Sequence, residues 1–178
     1  MKVKGIGLVA IAAAFIFGCA HTPKGPGERA DLTNAAQQEL AKMVSEHPDI
    51  QPLLDQSVGY IVFPAVGQGG FIVGGGAGQG VLFENGRPTG FAEVRHLAFG
   101  ALAGGQRYAQ LVIVQDPQTM QNIKEGRFDF GAQASAVILR SGATANANFR
   151  NGVAVVIDPI RGAMVNASLT GQRIKITM

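Results

Sequence analysis

The sequence predicts an α+β fold: a mostly antiparallel, strongly curved or barrel-like β-sheet, with helices at the N-terminal end and one short helix in mid-chain. Three observations carry this. Apolar residues recur at helical spacing early in the folded region, runs that are apolar on both faces follow, and two Asn-Gly pairs, Asn85-Gly86 and Asn151-Gly152, separate strand-like stretches as tight hairpin turns do. At 178 residues the chain has the size of one domain, and its 47% hydrophobic composition excludes a disordered chain. The single cysteine excludes a disulfide scaffold and a multi-cysteine metal site.

Residues 1–18 have the three-part pattern of a secretory signal. Lys2 and Lys4 precede an uncharged stretch from Gly5 to Phe17, which is too short to span a bilayer and is followed by the small residues Gly18, Cys19 and Ala20. Ile16-Phe17-Gly18-Cys19 resembles the bacterial lipobox, with Phe17 where a small residue is usual. The resemblance implies that Cys19 is acylated, with chains such as palmitate, and becomes the first residue of the mature protein. Ala20 in place of an aspartate then implies an outer-membrane anchor, with the domain facing the periplasm. Several acyl chains, at about 0.8 kcal/mol per buried methylene, hold such an anchor stably. Residues 19–30, containing two prolines and two glycines, read as the lipidated cysteine and a flexible tether, and residues 31–178 as a single domain. Without Lys2 and Lys4 the chain has 13 basic and 12 acidic residues, a net charge of +1, so nucleic acid is not expected as a partner.

From Asp31 to Glu46 the residues Leu32, Ala36, Leu40, Met43 and Val44 predict an amphipathic helix capped by Asp31 and stopped at His47-Pro48. Its polar face carries Asn34, Gln37, Gln38, Glu39, Lys42 and Glu46. This lacks the basic character of a membrane-surface helix and favours packing against the domain itself. A short second helix around Asp49 to Gln56 gathers Ile50, Leu53 and Leu54. Val58–Phe63, Tyr108–Val114 and Val153–Ile157 read as buried strands, and Asp116-Pro117 opens a short helix through Ile123, the one helical interruption expected. Arg173 to Thr177 alternates polar residues with Ile174 and Ile176, as a half-exposed edge strand does.

Gly67 to Gly80 holds eight glycines in fourteen positions. No G-x-G in this run is completed as G-x-G-x-x-G, no Walker lysine exists, and the run leads into Val81-Leu82-Phe83 and a hairpin rather than a helix N-terminus. A nucleotide loop is therefore not expected. The glycines suit sharply bent strands or close backbone packing in a curved sheet.

Further motifs lie in order along the chain. Leu53-Leu54-Asp55 follows Pro48; then come Gly59-Tyr60-Ile61-Val62-Phe63-Pro64, Gly69-Gly70-Phe71-Ile72-Val73-Gly74-Gly75 and Gly78-x-Gly80-Val81-Leu82. Gly104-Gly105-Gln106 precedes Leu111–Val114, and Phe128, Gly131, Ala134, Ser135, Arg161-Gly162-Ala163-Met164 and Ser168-Leu169-x-Gly171 complete the set. Over about residues 40 to 172 this series resembles the SYLF domain. The resemblance implies a lipid-binding module: eukaryotic relatives bind phosphoinositide membranes, some associate with actin, and bacterial relatives are mostly secreted or lipoprotein forms. Gln68 stands where many relatives have a lysine. As phosphoinositides are not expected in a bacterial envelope, lipid binding carries over as a class with the headgroup open.

Catalysis is not expected. His21 falls in the tether and His47 at a helix end, leaving His96, read as an ordinary polar residue on a strand; no G-x-S-x-G, H-E-x-x-H or second thiol exists. Glu93 or Asp129 meeting His96 in space would be the sign of an enzyme. No cofactor or metal is expected. Arg87, Arg95, Arg140, Arg150 and Arg161 are the candidate headgroup contacts, because a guanidinium fork fits phosphate, and Phe71 and Phe91 are candidates for acyl-chain contact. The expected function is thus a membrane-anchored, non-catalytic lipoprotein whose partners are membrane lipids. The alternative is an envelope interaction protein that binds another protein and no specific lipid; the oligomeric state is left open.

Overall fold

A computed structural model describes residue 23 and residues 25–70, 73–99, 105–139, 148–161 and 172–178. Cys19, Phe71 and Arg140 lie outside the described residues. Helices α1 (Pro26–Glu46) and α2 (Gln51–Asp55), joined by a 3-10 turn (Pro48–Ile50), precede strands β1 (Gly59–Gly70), β2 (Val73–Glu84), β3 (Arg87–Phe99) and β4 (Gln106–Val114). Helices α3 (Pro117–Lys124) and α4 (Phe130–Gln133) follow, then β5 (Ser135–Ile138), β6 (Val153–Arg161) and β7 (Arg173–Thr177). The seven strands form one sheet in the order β5-β6-β4-β1-β2-β3-β7. All pairings are antiparallel except β5 with β6. The α+β expectation is met, but the barrel-like one is corrected: β5 and β7 end the sheet on opposite sides and do not pair. Arg173 and Lys175 on β7 give this edge the charge with which solvated edge strands resist further pairing.

The sheet lies between two helical layers because its strands are apolar on both faces. On one face Ile61, Phe63, Leu82, Val94, Tyr108, Val112 and Val155 pack under Met120 and Ile123 of α3 and Phe130 of α4. On the other, Val62, Val81, Phe83, Leu111, Ile113 and Val156 pack under Ala36 and Met43 of α1 and under Ile50, with Leu53 and Leu54 half-buried beside them. The first helix thus buries its apolar stripe in its own domain, as its polar face implied. Lys42 fixes it to β6 through a 2.7 Å ion pair with Asp158, and that hydrogen bond holds the Lys42 ammonium above its ordinary pKa. Every helix and strand of the described residues lies between Pro26 and Thr177, so a chain starting at residue 20 keeps the whole described fold.

Three boundaries differ from the sequence reading. α1 starts at Pro26, so residues 26–30 of the predicted tether are helical. Gly25 is the extended N-cap rather than Asp31, Pro26 occupies the first turn where a missing N–H costs nothing, and Glu28 suits the helix dipole. β1 continues past Pro64, where the pairing with both neighbours shifts register; a residue without an N–H is accommodated in a central strand by a bulge. α4 and β5 were not foreseen, as four residues apiece carry too little periodicity to be read. The hairpin residues behave as expected: Asn85 (φ 51°) with Gly86 (φ 73°), and Asn151 (φ 48°) with Gly152 (φ 76°), all take the left-handed region that a two-residue hairpin turn requires. Asp116 caps α3, its carboxylate accepting from the Thr119 N–H at 2.8 Å.

Candidate functional site: a groove along the edge strand

A groove of about 1020 Å³ runs between β7 and the turn that follows α3. Gly126, with φ at 70°, ends α3 in the left-handed conformation usual after a helix C-terminus, and the chain swings through Arg127 and Phe128 alongside the edge strand. Lys124 pins the last turn of α3 to Glu84 with two contacts of 2.8 and 2.9 Å. Burial alone would raise the Glu84 carboxyl, but the bonds from Lys124 and Thr89 outweigh it and hold its pKa down.

The groove is apolar inside and cationic at its rim. Ile174 is buried, while Ile176 and Phe128 are half-buried against the core, and Phe128 meets Phe130 edge-on with ring centres 4.8 Å apart. The alternation of β7 turns Arg173 and Lys175 to the opposite face of the edge strand from these isoleucines, exposed and bordering the groove. Lys124, Arg127 and Arg95 also line the groove, and each is in an ion pair, with Glu84, Glu125 and Glu93 respectively.

The upper end is closed by His96 and Gln172, only 6% and 4% exposed. His96 Nε2 lies 3.1 Å from the Gln68 side-chain oxygen. Because that oxygen only accepts, Nε2 carries the hydrogen and Nδ1 is an acceptor. Burial lowers the His96 pKa, so the ring is neutral at pH 7. The Tyr108 ring lies 6.3 Å away, its phenol pKa raised by burial. Gln68, expected at a position where a cation would meet phosphate, is instead buried and directed at His96. The amide nitrogen of Gln172 is buried and has no hydrogen-bond partner.

The expected arginines do not converge. Arg87 and Arg150 are exposed next to the two Asn-Gly turns, at the opposite end of the sheet from Gln172. Arg161 stands across from Arg107 at the end of β6, its side chain outside the described residues. Of the three whose side chains are described, Arg87, Arg95 and Arg150, Arg95 lines the groove. Phe91 is a packing residue, half-buried on the α1 side of the sheet with the Arg29 guanidinium 5.3 Å above its ring. Glu93 and Asp129 share the groove with His96, yet the hydrogen bond of His96 goes to Gln68, and Glu93 pairs with Arg95. Among the described residues no group of His, Cys, Asp and Glu is placed to hold a metal ion, and no helix is long and apolar enough to cross a membrane.

Sequence reasoning missed Arg173, Lys175, Phe128 and Gln172. The alternation of residues 173–177 announced the edge strand, and a charged edge strand next to a helix is where a rim could have been sought. No protein-family model matches the chain, and no curated protein matches it.

Proposed function

We propose that this protein is a bacterial lipoprotein, anchored to the outer membrane through Cys19 and facing the periplasm, whose SYLF-like domain binds membrane lipid without catalysis. The observation that carries the reading is the groove along β7. An apolar floor of Ile174, Ile176 and Phe128, bordered along the sheet edge by the exposed Arg173 and Lys175, matches an amphiphile with an anionic headgroup. The lipobox-like junction supports the anchor, and the ordered SYLF-like motifs support lipid as the ligand class. The protein-partner alternative calls for a flat apolar patch; among the described residues the exposed large hydrophobics are Ile160 on β6 and Met178 just after β7, at opposite sides of the sheet.

The reading is tested by co-sedimentation of residues 20–178 with neutral and anionic vesicles at low and high salt. Saturable binding to anionic vesicles that weakens with salt is expected. Absence of binding to every vesicle would leave Cys19 as the sole membrane attachment and remove lipid binding from the domain. For the anchor, Cys19→Ser in the full chain is expected to release the protein from the membrane fraction.

A further inference from the structure

The chain enters the domain at one edge of the sheet. Helix α1 crosses from β3, where Arg29 stands over the Phe91 ring, to β6, where Lys42 pairs with Asp158. The thirteen residues from one of these contacts to the other rise about 20 Å along a helix. Four strand spacings, from β3 through β2, β1 and β4 to β6, measure about 19 Å, so α1 runs across the strands rather than along them. Its first turn, Pro26 to Arg29, therefore carries on past β3 towards β7, and Met178, just after β7, shares a pocket with Arg29, Gly90 and Phe91. Arg29 Nε donates to the Pro23 carbonyl oxygen at 3.4 Å, and Pro23 is buried, so the chain before the helix is held at this edge too.

The same edge carries positive charge. Phe91 faces α1 and is paired with Thr177, and alternation from there turns Lys175 and Arg173 to the α1 face as well. Both are exposed, and neither is in an ion pair among the described residues. The acidic residues nearby are Glu93, paired with Arg95, and Glu28 and Asp31 on α1. Asp31 stands about 140° around the helix from the buried Ala36, on the side turned away from the sheet.

We propose that the anchored domain stands on the bilayer on its β7 edge, with Arg173 and Lys175 against anionic headgroup phosphates and the β5–β6 side farthest from the membrane. Pro23 is four residues from Cys19, a span of at most about 14 Å. Five strand spacings, about 24 Å, separate β7 from β6. With β6 turned to the membrane, Pro23 would stand farther from the surface than an acylated Cys19 can reach. With β7 turned to it the tether is long enough, the two cations meet the headgroups, and the groove along β7 opens next to the lipid. This rests on the anchor reading above and adds the surface that meets the membrane.

The chain contains no tryptophan, so an introduced indole reports its own position alone. Met178→Trp, beside β7, and Ile160→Trp, on β6, each replace an exposed apolar residue and leave the charge unchanged. Each variant is expressed as the full chain, its acylation at Cys19 read by mass spectrometry, and reconstituted into vesicles of phosphatidylethanolamine and phosphatidylglycerol, with and without a lipid bearing a nitroxide on its headgroup. The acylated Met178→Trp protein is expected to lose most of its tryptophan emission to the nitroxide, and the Ile160→Trp protein to keep it. Adding Arg173→Gln/Lys175→Gln to Met178→Trp should weaken that quenching. Equal quenching at the two positions, as in a domain lying flat on α1, or stronger quenching at 160, would overturn the orientation. Quenching at 178 that is unchanged by the double substitution would remove the two cations from the contact. A chain with no acyl mass on Cys19 would sink the anchor reading and this orientation with it, while co-sedimentation of residues 20–178 still decides lipid binding by the groove.

Discussion

The imidazole of His96 occupies the place where a Cβ on Gly76 would stand. The two residues are paired across β2 and β3, and a methyl at Gly76 would run into the ring and come within 2.9 Å of the Gly67 carbonyl oxygen. The same holds along β2, where a Cβ at Gly80 would lie 2.6 Å from the Val62 carbonyl oxygen and 2.6 Å from the Phe63 ring. These glycines give neighbouring side chains room to lie across the strand, which is how His96 on β3 reaches Gln68 on β1.

Substitution of these glycines should therefore split by position. Gly76→Ala and Gly80→Ala are expected to destabilise the domain by about 1–3 kcal/mol each, as overpacking does. Gly67→Ala, where nothing lies within 4 Å of the added carbon, should be neutral or gain about 0.5–1 kcal/mol. Urea denaturation midpoints read both signs.

A second prediction follows from the burial of His96. Its pKa is lower in the folded than in the unfolded chain, so in the interval between the two values the unfolded chain binds more protons. The stability that depends on a neutral ring is fully present above the unfolded value of about 6.5 and is lost as pH falls from there towards the folded one. Melting temperature should fall less between about pH 7 and pH 5 in His96→Gln than in the unsubstituted protein.

Gln110 offers a gain in stability. It is wholly buried between Tyr108 and Val112 on β4, opposite Phe63 and Ile157, and neither polar atom of its amide has a hydrogen-bond partner. Gln110→Met keeps the shape and removes the polar atoms, and is expected to stabilise the domain by about 1–2 kcal/mol. At about 2–4 °C per kcal/mol for a domain of this size, calorimetry would register the rise.

How far the sequence could be read depended on whether the deciding information was local. The Asn-Gly turns, the Asp116-Pro117 helix start and the alternating residues 173–177 were legible because a few adjacent residues dictate each. The sheet order was not, because placing β7 beside β3 rather than β6 depends on pairings distant in sequence. That pairing also decides the site: Gln172 and His96 lie 76 positions apart, and neither has a neighbouring motif to mark it. Arg87 and Arg150 are marked in the sequence by chemistry alone, and the topology places them at the end of the sheet opposite Gln172. Pro64 misled in the opposite sense, since a proline that ends most central strands here only bulges one.

The most direct test of the account moves charge without changing its amount. Arg173→Gln/Lys175→Gln and Arg87→Gln/Arg150→Gln each remove two cations, the first pair from the groove rim and the second from the far end of the sheet. In co-sedimentation of residues 20–178 with anionic vesicles, the rim variant is expected to bind roughly thirtyfold more weakly, at about 1 kcal/mol per cation near an anionic surface. The far-end variant should bind as the unsubstituted protein does. Equal loss in the two variants, or none in the rim variant, would contradict the assignment of the groove as the lipid-binding site.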